Sequence, residues 1–578
     1  MARNITEYDI DRRQFLALSG TLAGTSLAGC IGGSDNSSTD GGGSGNDDSG
    51  GSGGGSSGET VRLNVAISSE PWNFDPALWA DTGSSSIGSL IYDEVIELSP
   101  DQQLEPGLVE EVPKATNDGT AFEYTLREGL EFHNGDPVTV EDFKYSLDWI
   151  LNPENNSPVR RRIPNVEGTE IVGDRTLRVN LETTFTTLNW WLTRGLEGIV
   201  PKGSRGTPSE REGPTGIATN LTTDPSGAGT GPFKFVEWNS GQNVLLEKNE
   251  NYWKDGYPKV DEINFQLIPE DSTRLANLRS NSTDLTSAIP AKDFQSLKDT
   301  PGITAESVPG NTTEVVYLNL MDDGGNPMAN VHNRRAVQWG IDAEEILDEI
   351  FHGLGVEQKG LWYPDSEWTS PKLKEMEMYD PDKARNELAE AGNPDGFELE
   401  LISSQGGHFK DEAVVIQNQL SKIGIDVNIT MLEKSALFDQ VYGTTDWHAA
   451  LENWTNAVPG VMYWLSSGFV PNNRNHNNWH HASEDLEDPF EASGPPAPDD
   501  ADGDYSNGHE WFVAKVEEAQ RTVDEQAQKE LAWRLQEYLV ENAIQIDMAY
   551  TSKLAAWDDS VSGYELGSFA SDMRGVSK

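Results

Sequence analysis

One cluster of residues in the sequence has side chains and spacing that suit metal coordination: His476, His480, His481 and Glu484. Imidazole nitrogens and a carboxylate oxygen are common zinc ligands, and on a helix these side chains would be close enough to share one ion. The flanking residues 472–478 are rich in asparagine, which indicates a loop instead of a helix. We therefore expect no metal site in this cluster, and the sequence identifies no cofactor.

Recognisable catalytic patterns are missing beyond residue 58. That part of the chain contains no Gly-x-Ser-x-Gly and no His-Glu-x-x-His, and the 96 carboxylates of the full chain are too many to nominate a glycosidase pair. The segment Gly229-Thr230-Gly231-Pro232 lacks the Lys-Ser or Lys-Thr of a phosphate-binding loop. We expect a protein that is not an enzyme. An extracellular hydrolase stays open as the alternative of a different class, and turnover of any peptide or glycoside would reveal it.

The charge of the chain limits its partners. The 578 residues include 96 acidic and 42 basic side chains, which gives a formal net charge of −54. A negative field of this size repels phosphate backbones and anionic lipid surfaces, so we exclude nucleic acid and polybasic membrane attachment. So many carboxylates on one folded surface also repel each other unless salt screens them, which predicts a halophilic protein.

The first 58 residues predict export and tethering. Arg12 and Arg13 precede an apolar stretch at residues 15–27, which is shorter than the ~20 apolar residues that span a bilayer. Small residues then lead to Cys30, the single cysteine of the chain. This order resembles a twin-arginine signal peptide (residues 1–29) with a lipobox, which implies a lipid on Cys30 and a location at the outer face of the cytoplasmic membrane. Residues 30–58, rich in Gly, Ser and Asp, predict a flexible linker.

Strand and helix patterns alternate in the rest of the chain, which favours an α/β fold. Period-two alternation predicts strands at residues 61–67, 122–126, 176–181, 261–268, 398–402 and 426–431, and a hairpin at 231–249 that turns at 239–241. Helical periodicity predicts helices at residues 139–151, 331–340, 343–352, 381–391, 411–423 and 527–542, the first opened by a capping box from Thr139 to Asp142. The Pro-, Asp- and Gly-rich residues 489–508 predict a surface excursion.

Four stretches of sequence resemble the extracellular solute-binding proteins of ABC importers, in the family (family 5) named for dipeptide, oligopeptide and nickel receptors. The stretches are NDGTAFEYTLREGLEFHNGDPVT (117–139), GTGPF (229–233) with NENYW (249–253), NRRAVQWGID (333–342) and YDPDKA (379–384). Together with the N-terminal pattern and the acidic composition, they resemble a haloarchaeal lipoprotein of that family. Their glycines read as turn residues of the scaffold, so these stretches indicate the fold and not the ligand.

The resemblance implies the α/β, two-lobe fold of type II periplasmic binding proteins, with an extra inserted subdomain and a hinge. Lobe 1 would comprise residues 59–310 and 543–578, with the insertion at about 105–223, and lobe 2 would comprise residues 311–542. The lobes would close by rotation on a small-molecule solute, and closure would signal to the partner proteins. The expected partners are ABC permease subunits and their ATPases, and the protein would act as a monomer that reaches the membrane by its lipid anchor.

In peptide-binding members of the family, a tryptophan in lobe 2 is followed three positions later by an aspartate that pairs with the amino group of the peptide. The matching residue is Trp454, flanked by Asn453 and Asn456, but the third position after it is Ala457. A buried ammonium group without a counter-charge costs several kcal/mol. Either another acid substitutes, with Asp81 as the candidate, or the ligand is neutral.

A neutral ligand fits an oligosaccharide, because aromatic faces stack on sugar rings and asparagine side chains offer both donors and acceptors. Trp447 and Trp464 would then join Trp454, although each of the two is also an ordinary candidate for core packing. Peptide, oligosaccharide and nickel complex remain open as ligands.

The loop at residues 79–84 matches the place where lobe 1 of relatives touches the ligand backbone. This nominates Trp79, Asp81 and Ser84 as ligand-binding residues, with an ordinary polar turn as the alternative interpretation.

Overall fold

The computed structural model describes residues 60–79, 81–100, 102–205, 220–322, 324–456, 458, 460–470, 477–479, 494–569 and 571–578. Within these ranges, no helix combines the length and the apolar character that a bilayer span requires. The predicted lipid site Cys30, the predicted linker and the histidines 476, 480 and 481 lie outside them.

Every predicted strand is present to within two residues at each end, but half of the sixteen strands in the described ranges were not predicted. Their bounds are β1 Arg62–Ile67, β2 Ile96–Leu98, β3 Leu104–Pro106, β4 Ala121–Thr125, β5 Val166–Ile171, β6 Thr176–Leu181, β7 Phe233–Asn239, β8 Asn243–Lys248, β9 Glu262–Leu267, β10 Leu285–Thr286, β11 Ile303–Leu318, β12 Gly355–Glu357, β13 Glu398–Ser404, β14 Asp426–Leu432, β15 Ala449–Thr455 and β16 Gln545–Asp558. The predicted hairpin is β7 and β8, which pair in antiparallel register from Phe233–Lys248 to Asn239–Asn243.

The helices confirm all six predicted ones to within two residues at each end. Their bounds are α1 Thr82–Ile91, α2 Val140–Leu151, α3 Leu188–Gly195, α4 Asp271–Arg279, α5 Ala291–Lys298, α6 Val331–Gly340, α7 Ala343–Phe351, α8 Pro371–Lys374, α9 Pro381–Glu390, α10 Phe409–Ser421, α11 Lys434–Gly443, α12 Val461–Phe469, α13 Gly508–Arg521 and α14 Glu525–Glu541. The predicted capping box is present: the Thr139 hydroxyl accepts from the Asp142 N–H, and the Asp142 carboxylate accepts from the Thr139 N–H.

Two predictions of irregular structure need correction. The segment predicted as a loop at residues 79–84 contains the first turn of α1, because Asp81 caps the helix by accepting from the Ser84 N–H and Gly83 lies close to the backbone of Glu70. The predicted excursion is irregular over the described residues 494–507, but Gly508 is the first residue of α13 and packs under the Tyr538 hydroxyl.

One large mixed sheet connects the two halves of the described chain. Its strand order is β14-β13-β15-β11-β16-β10-β1-β9-β8-β7, and β12 pairs with β16. Strands β11 and β16 run antiparallel along their whole length at its centre, from the pair Ile303–Asp558 to the pair Tyr317–Gln545. The ladder shifts register between Pro309 and Thr312, so this pair of strands bends where it passes from one half of the sheet to the other.

Two of the four scaffold stretches, 117–139 and 229–233 with 249–253, meet at one point of the structure. The carbonyl oxygen of Gly231 accepts hydrogen bonds from His133 Nε2 (3.0 Å) and Asn249 Nδ2 (3.1 Å). The Gly231 N–H donates to the carbonyl of Ile91, the last residue of α1. A Cβ atom on Gly231 would lie 2.6 Å from the carbonyl oxygen of Leu90, so only glycine fits. The other two stretches, 333–342 and 379–384, also contact each other. The Asp380 N–H, just before α9, donates to the Trp339 carbonyl in α6.

Candidate functional site

The carboxyl ends of β13 and β15 form the edge of the sheet near which three of the predicted ligand residues lie: Asn453, Trp454 and Asn456. These two strands are parallel, with Leu401 opposite Ala449, and β11 runs antiparallel to β15 beside them. Ligands of open α/β sheets bind outside the carboxyl ends of the strands. We call this place, formed by the ends of β13 and β15 and the facing part of β11, the carboxyl edge.

Trp454 lies at the carboxyl edge, next to last in β15 and opposite Thr313 of β11. Its ring is half-buried and packs against Trp464 of α12, with ring centroids 5.1 Å apart and planes inclined by 33°. Trp464 is fully buried in the core around α12. The pair therefore presents one partly accessible indole on a rigid base, which is an arrangement suited to stacking on a planar group.

Asn453 and Asn456 flank Trp454 in different environments. Asn453 is half-buried and lies opposite Glu314 of β11. Asn456 is fully buried, and its Nδ2 donates to the Tyr550 hydroxyl (3.0 Å). Its side-chain oxygen has no hydrogen-bond partner among the described residues. Asn456 thus contributes to the attachment of β15 to β16, and its Oδ1 is the part of the side chain left for other contacts.

Glu452 is a buried carboxylate two residues before Trp454. The alternation of a strand places it on the same face of β15 as Trp454. Its Oε1 accepts no hydrogen bond from the described residues. Burial raises the pKa of Glu452 to about 7, although Lys434 of α11 opposes the shift. Sequence reasoning missed Glu452, because a glutamate in a chain with so many acids carries no signal by itself.

A second acidic group lies on the opposite face of the same edge. The Nε2 atom of His408 lies 3.1 Å from Oε2 of Glu314 and 3.5 Å from Oε2 of Glu412. Glu314 and Glu412 are 1% and 0% exposed, whereas the His408 side chain is 30% exposed. Burial and the charge of Glu314 hold the pKa of Glu412 well above its usual range. These three residues come from β11 and from the start of α10, and no sequence motif joins them.

The predicted ligand residues of lobe 1 lie at the start of α1. Asp81 accepts hydrogen bonds from both the N–H (2.7 Å) and the hydroxyl (2.6 Å) of Ser84. The Ser84 hydroxyl oxygen also accepts from the Trp72 N–H. Trp79 is 1% exposed and packs edge-on against Tyr92, with centroids 5.9 Å apart. Asp81 and Ser84 therefore cap a helix, and the Trp79 ring belongs to the core.

Trp447 lies in a core cluster with Val315, Tyr317 and Ile402, and its Nε1 donates to the Thr444 carbonyl (3.3 Å). It is 1% exposed. The ring is therefore held inside the protein in this conformation, in agreement with the core interpretation of its sequence position.

Comparison with known proteins assigns the fold and the family. The family model described as bacterial extracellular solute-binding proteins, family 5 (middle region), matches residues 103–476. A glutathione-binding protein, GsiB, of Pectobacterium atrosepticum is 27% identical over 381 residues, which cover 66% of this chain and 71% of that protein.

Two solved structures of binding proteins superpose on most of this chain. HbpA2 from Haemophilus parasuis superposes with a TM-score of 0.73 at 20% identity, covering 89% of this chain and 99% of its own. The periplasmic binding protein DppA from Helicobacter pylori, solved with the peptide STSA, gives a TM-score of 0.66 at 21% identity, covering 89% and 97%. The described chain therefore has the two-lobe α/β fold of these binding proteins, as the sequence predicts.

Proposed function

Because the chain belongs to the bacterial extracellular solute-binding proteins of family 5, we propose that it captures peptides and delivers them unaltered to an ABC importer. The observation that carries the proposal is the position of Trp454 at the carboxyl edge, in a fold shared with a protein solved around a peptide. Permease subunits and their ATPases would be the partners that receive the peptide. Members of this family bind solutes, so the proposal includes no catalytic residue.

The two proposed lobes would be joined at the bend of β11 and β16. Lobe 1 would comprise residues 59–310 and 543–578, and lobe 2 would comprise residues 311–542. The inserted segment supports closure, because the Thr186 N–H donates to the Gln520 carbonyl (3.1 Å) and Trp191 packs on Tyr463 at 4.8 Å. These contacts join the inserted subdomain to lobe 2, so they would break when the lobes open.

Glu452 is our candidate for the carboxylate that replaces the missing aspartate. Asp81, the candidate from sequence, already has two hydrogen bonds from Ser84. Glu452 shares a strand face with Trp454, is buried, and has one oxygen that accepts no hydrogen bond from the described part of the chain. An ammonium group placed there would gain a buried counter-charge and would lower the pKa of the carboxyl group back toward its usual value.

The proposal also includes export of the protein and its attachment to the membrane by a lipid. Arg12 and Arg13 would direct a folded chain through the twin-arginine route, and Cys30 would carry the lipid. The linker at residues 30–58 would hold the protein near its permease. The net charge of −54 fits a salt-rich exterior, in which carboxylates are screened.

A thermal-shift screen in molar KCl tests the peptide assignment. Free peptides should raise the unfolding temperature, because a ligand at about 100 times its dissociation constant stabilises by about 2.7 kcal/mol. The matching N-acetylated peptides should shift it less, and Glu452→Gln should abolish the difference between the two, whereas the exposed Glu398→Gln should keep it. A response to oligosaccharides alone would contradict the peptide assignment.

A further inference from the structure

The cluster of Glu314, His408 and Glu412 has the composition of a cation site. Two carboxylates and one imidazole offer one ligand atom each, and these three atoms lie within 4.8 Å of one another. Mixed nitrogen and oxygen ligands suit Zn²⁺ and related transition-metal ions better than Ca²⁺ or Mg²⁺, which prefer oxygen ligands alone.

The separations match those of ligands around one ion. Zinc bonds to imidazole nitrogen and carboxylate oxygen measure ~2.0–2.1 Å, which places two ligands of a tetrahedral ion ~3.4 Å apart. The two measured separations are 3.1 Å, from His408 Nε2 to Glu314 Oε2, and 3.5 Å, from His408 Nε2 to Glu412 Oε2. The third separation, between the carboxylate oxygens of Glu314 and Glu412, lies within 4.8 Å, so a bound ion would draw these two side chains closer together.

The ligands are held by rigid elements. Glu314 is fixed in the middle of the sheet, paired with Asn453 on one side and Ala549 on the other. His408 and Glu412 are four residues apart at the start of α10, which places them on one face of the helix. The imidazole packs between Phe351 and Phe409, with ring centroids 4.8 and 4.6 Å away.

Glu412 is an independent observation that points to a ligand at this cluster. It is 0% exposed, and neither of its carboxylate oxygens accepts a hydrogen bond from the described residues. Buried carboxylates are normally paired, hydrogen-bonded or bound to a metal, because desolvation of a lone charge is costly. One partly exposed imidazole cannot compensate two buried carboxylates, but a divalent ion can.

We propose that Glu314, His408 and Glu412 bind a divalent transition-metal ion, with Zn²⁺ as the probe, at the carboxyl edge of the sheet. Three protein ligands leave at least one coordination position open, as in zinc sites that bind water or a further ligand. The partial exposure of His408 gives the ion a path of entry. The cluster lies beside the proposed peptide site, because the charges of Glu314 and His408 reach Glu452, but its ligands include neither Glu452 nor Trp454 and would be present in a receptor of any solute.

Isothermal titration of the chelator-treated full chain with ZnCl₂ in molar KCl tests the site. We expect one ion per chain bound more tightly than the weak background of surface carboxylates. Glu412→Gln keeps the shape and removes one ligand charge, so it should weaken zinc binding by more than the 10- to 100-fold that changes around a ligand shell cause. His408→Ala should do the same.

Two controls separate the loss of a zinc ligand from other causes of weaker zinc binding. His332 forms a separate pair with Glu387 at 2.7 Å, so His332→Ala should leave zinc affinity unchanged. Glutamine fills the same buried volume as Glu412 without a carboxylate, so the unfolding temperature of Glu412→Gln in chelator should equal or exceed that of the parent, which excludes misfolding as the cause of lost binding. Unchanged zinc affinity in Glu412→Gln would overturn the proposal. So would zinc binding that disappears only when His476, His480 and His481 are replaced by alanine.

Discussion

Asn311 and Asn456 exchange two hydrogen bonds of 2.8 Å: the Asn456 N–H donates to the Asn311 carbonyl, and Asn311 Nδ2 donates to the Asn456 carbonyl. Asn311 lies in β11 where the strand bends, and Asn456 follows the end of β15. The bend between the halves of the sheet is therefore tied directly to the segment that carries Trp454.

Asn311→Ala should destabilise the protein by about 1 kcal/mol, because it removes one of the two hydrogen bonds and leaves the Asn456 carbonyl without this donor. Denaturant unfolding in molar salt measures the change. If peptide affinity falls together with stability, the tie also positions Trp454. A variant as stable as the parent would show that the reciprocal pair contributes nothing.

Gly231→Ala should be strongly destabilising, by about 2–3 kcal/mol, because the new Cβ would collide with backbone atoms of Leu90 and Ile91 that cannot move independently. The matched control is Gly168→Ala in β5, where nothing lies within 4 Å of the added atom. Thermal unfolding of both variants checks the difference. Equal unfolding temperatures for the two variants would mean that the backbone around Gly231 can shift to make room for the added methyl group.

Asp93 should make stability depend on pH. It is buried and accepts from the Tyr252 hydroxyl (2.8 Å) and Trp253 Nε1 (2.7 Å). Burial, followed by the charge of Glu97, raises its pKa from 3.8 to about 7. Between these values the folded state holds a proton that the unfolded state has lost, so the contribution of Asp93 to stability falls as pH rises from about 4 to about 7 and then levels off.

Asp93→Asn removes this dependence and can still accept from Trp253, while its amide can donate to the Tyr252 oxygen. Relative to the parent, the variant should gain stability from pH 4 to pH 7, by at most about 4 kcal/mol for three pKa units. Chemical unfolding at pH 4.5, 6 and 7.5 measures it. A constant difference between the two proteins at all three values would show that Asp93 does not titrate in this range.

The protein should need salt to fold. The Debye length is ~3 Å at 1 M ionic strength and ~10 Å at 0.1 M, so dilution restores repulsion among surface carboxylates. Far-UV circular dichroism during dialysis from molar KCl to about 50 mM should show loss of helix. A cooperative, intact fold at the low end would contradict the prediction of halophily.

Local sequence signals predicted the helices whose caps and hydrophobic periodicity lie within their own sequence. The capping box of Thr139 and Asp142 located α2, and helical periodicity located α9. Small residues hid α1, since Gly83 and three serines give no helical periodicity, and Gly508 hid the start of α13. In each case the helix is stabilised by its cap and by packing that the sequence alone does not display.

Contacts between distant parts of the chain could not be predicted. Strand β11 contains Pro309 and Gly310, which read as a break, yet it continues because β16 pairs with it on both sides of the bend. For the same reason the sequence does not show that Trp79 and Trp447 are buried in this conformation, or that Glu314, Glu412 and Glu452 are buried carboxyl groups. The burial and the contacts of a side chain in the sheet depend on which residues lie beside it on the neighbouring strands. That strand register is set by the whole fold and cannot be read from the local sequence.

The most direct test of the central claim uses a pool of synthetic peptides in molar KCl. The protein is incubated with the pool, washed, denatured, and the released peptides are identified by mass spectrometry. We predict that intact peptides are retained by the parent and by Trp533→Ala, which alters a tryptophan on α14, but not by Trp454→Ala. Recovery of cleaved peptides, or equal retention by the Trp454→Ala variant, would contradict the account of a receptor that binds its solute at the carboxyl edge.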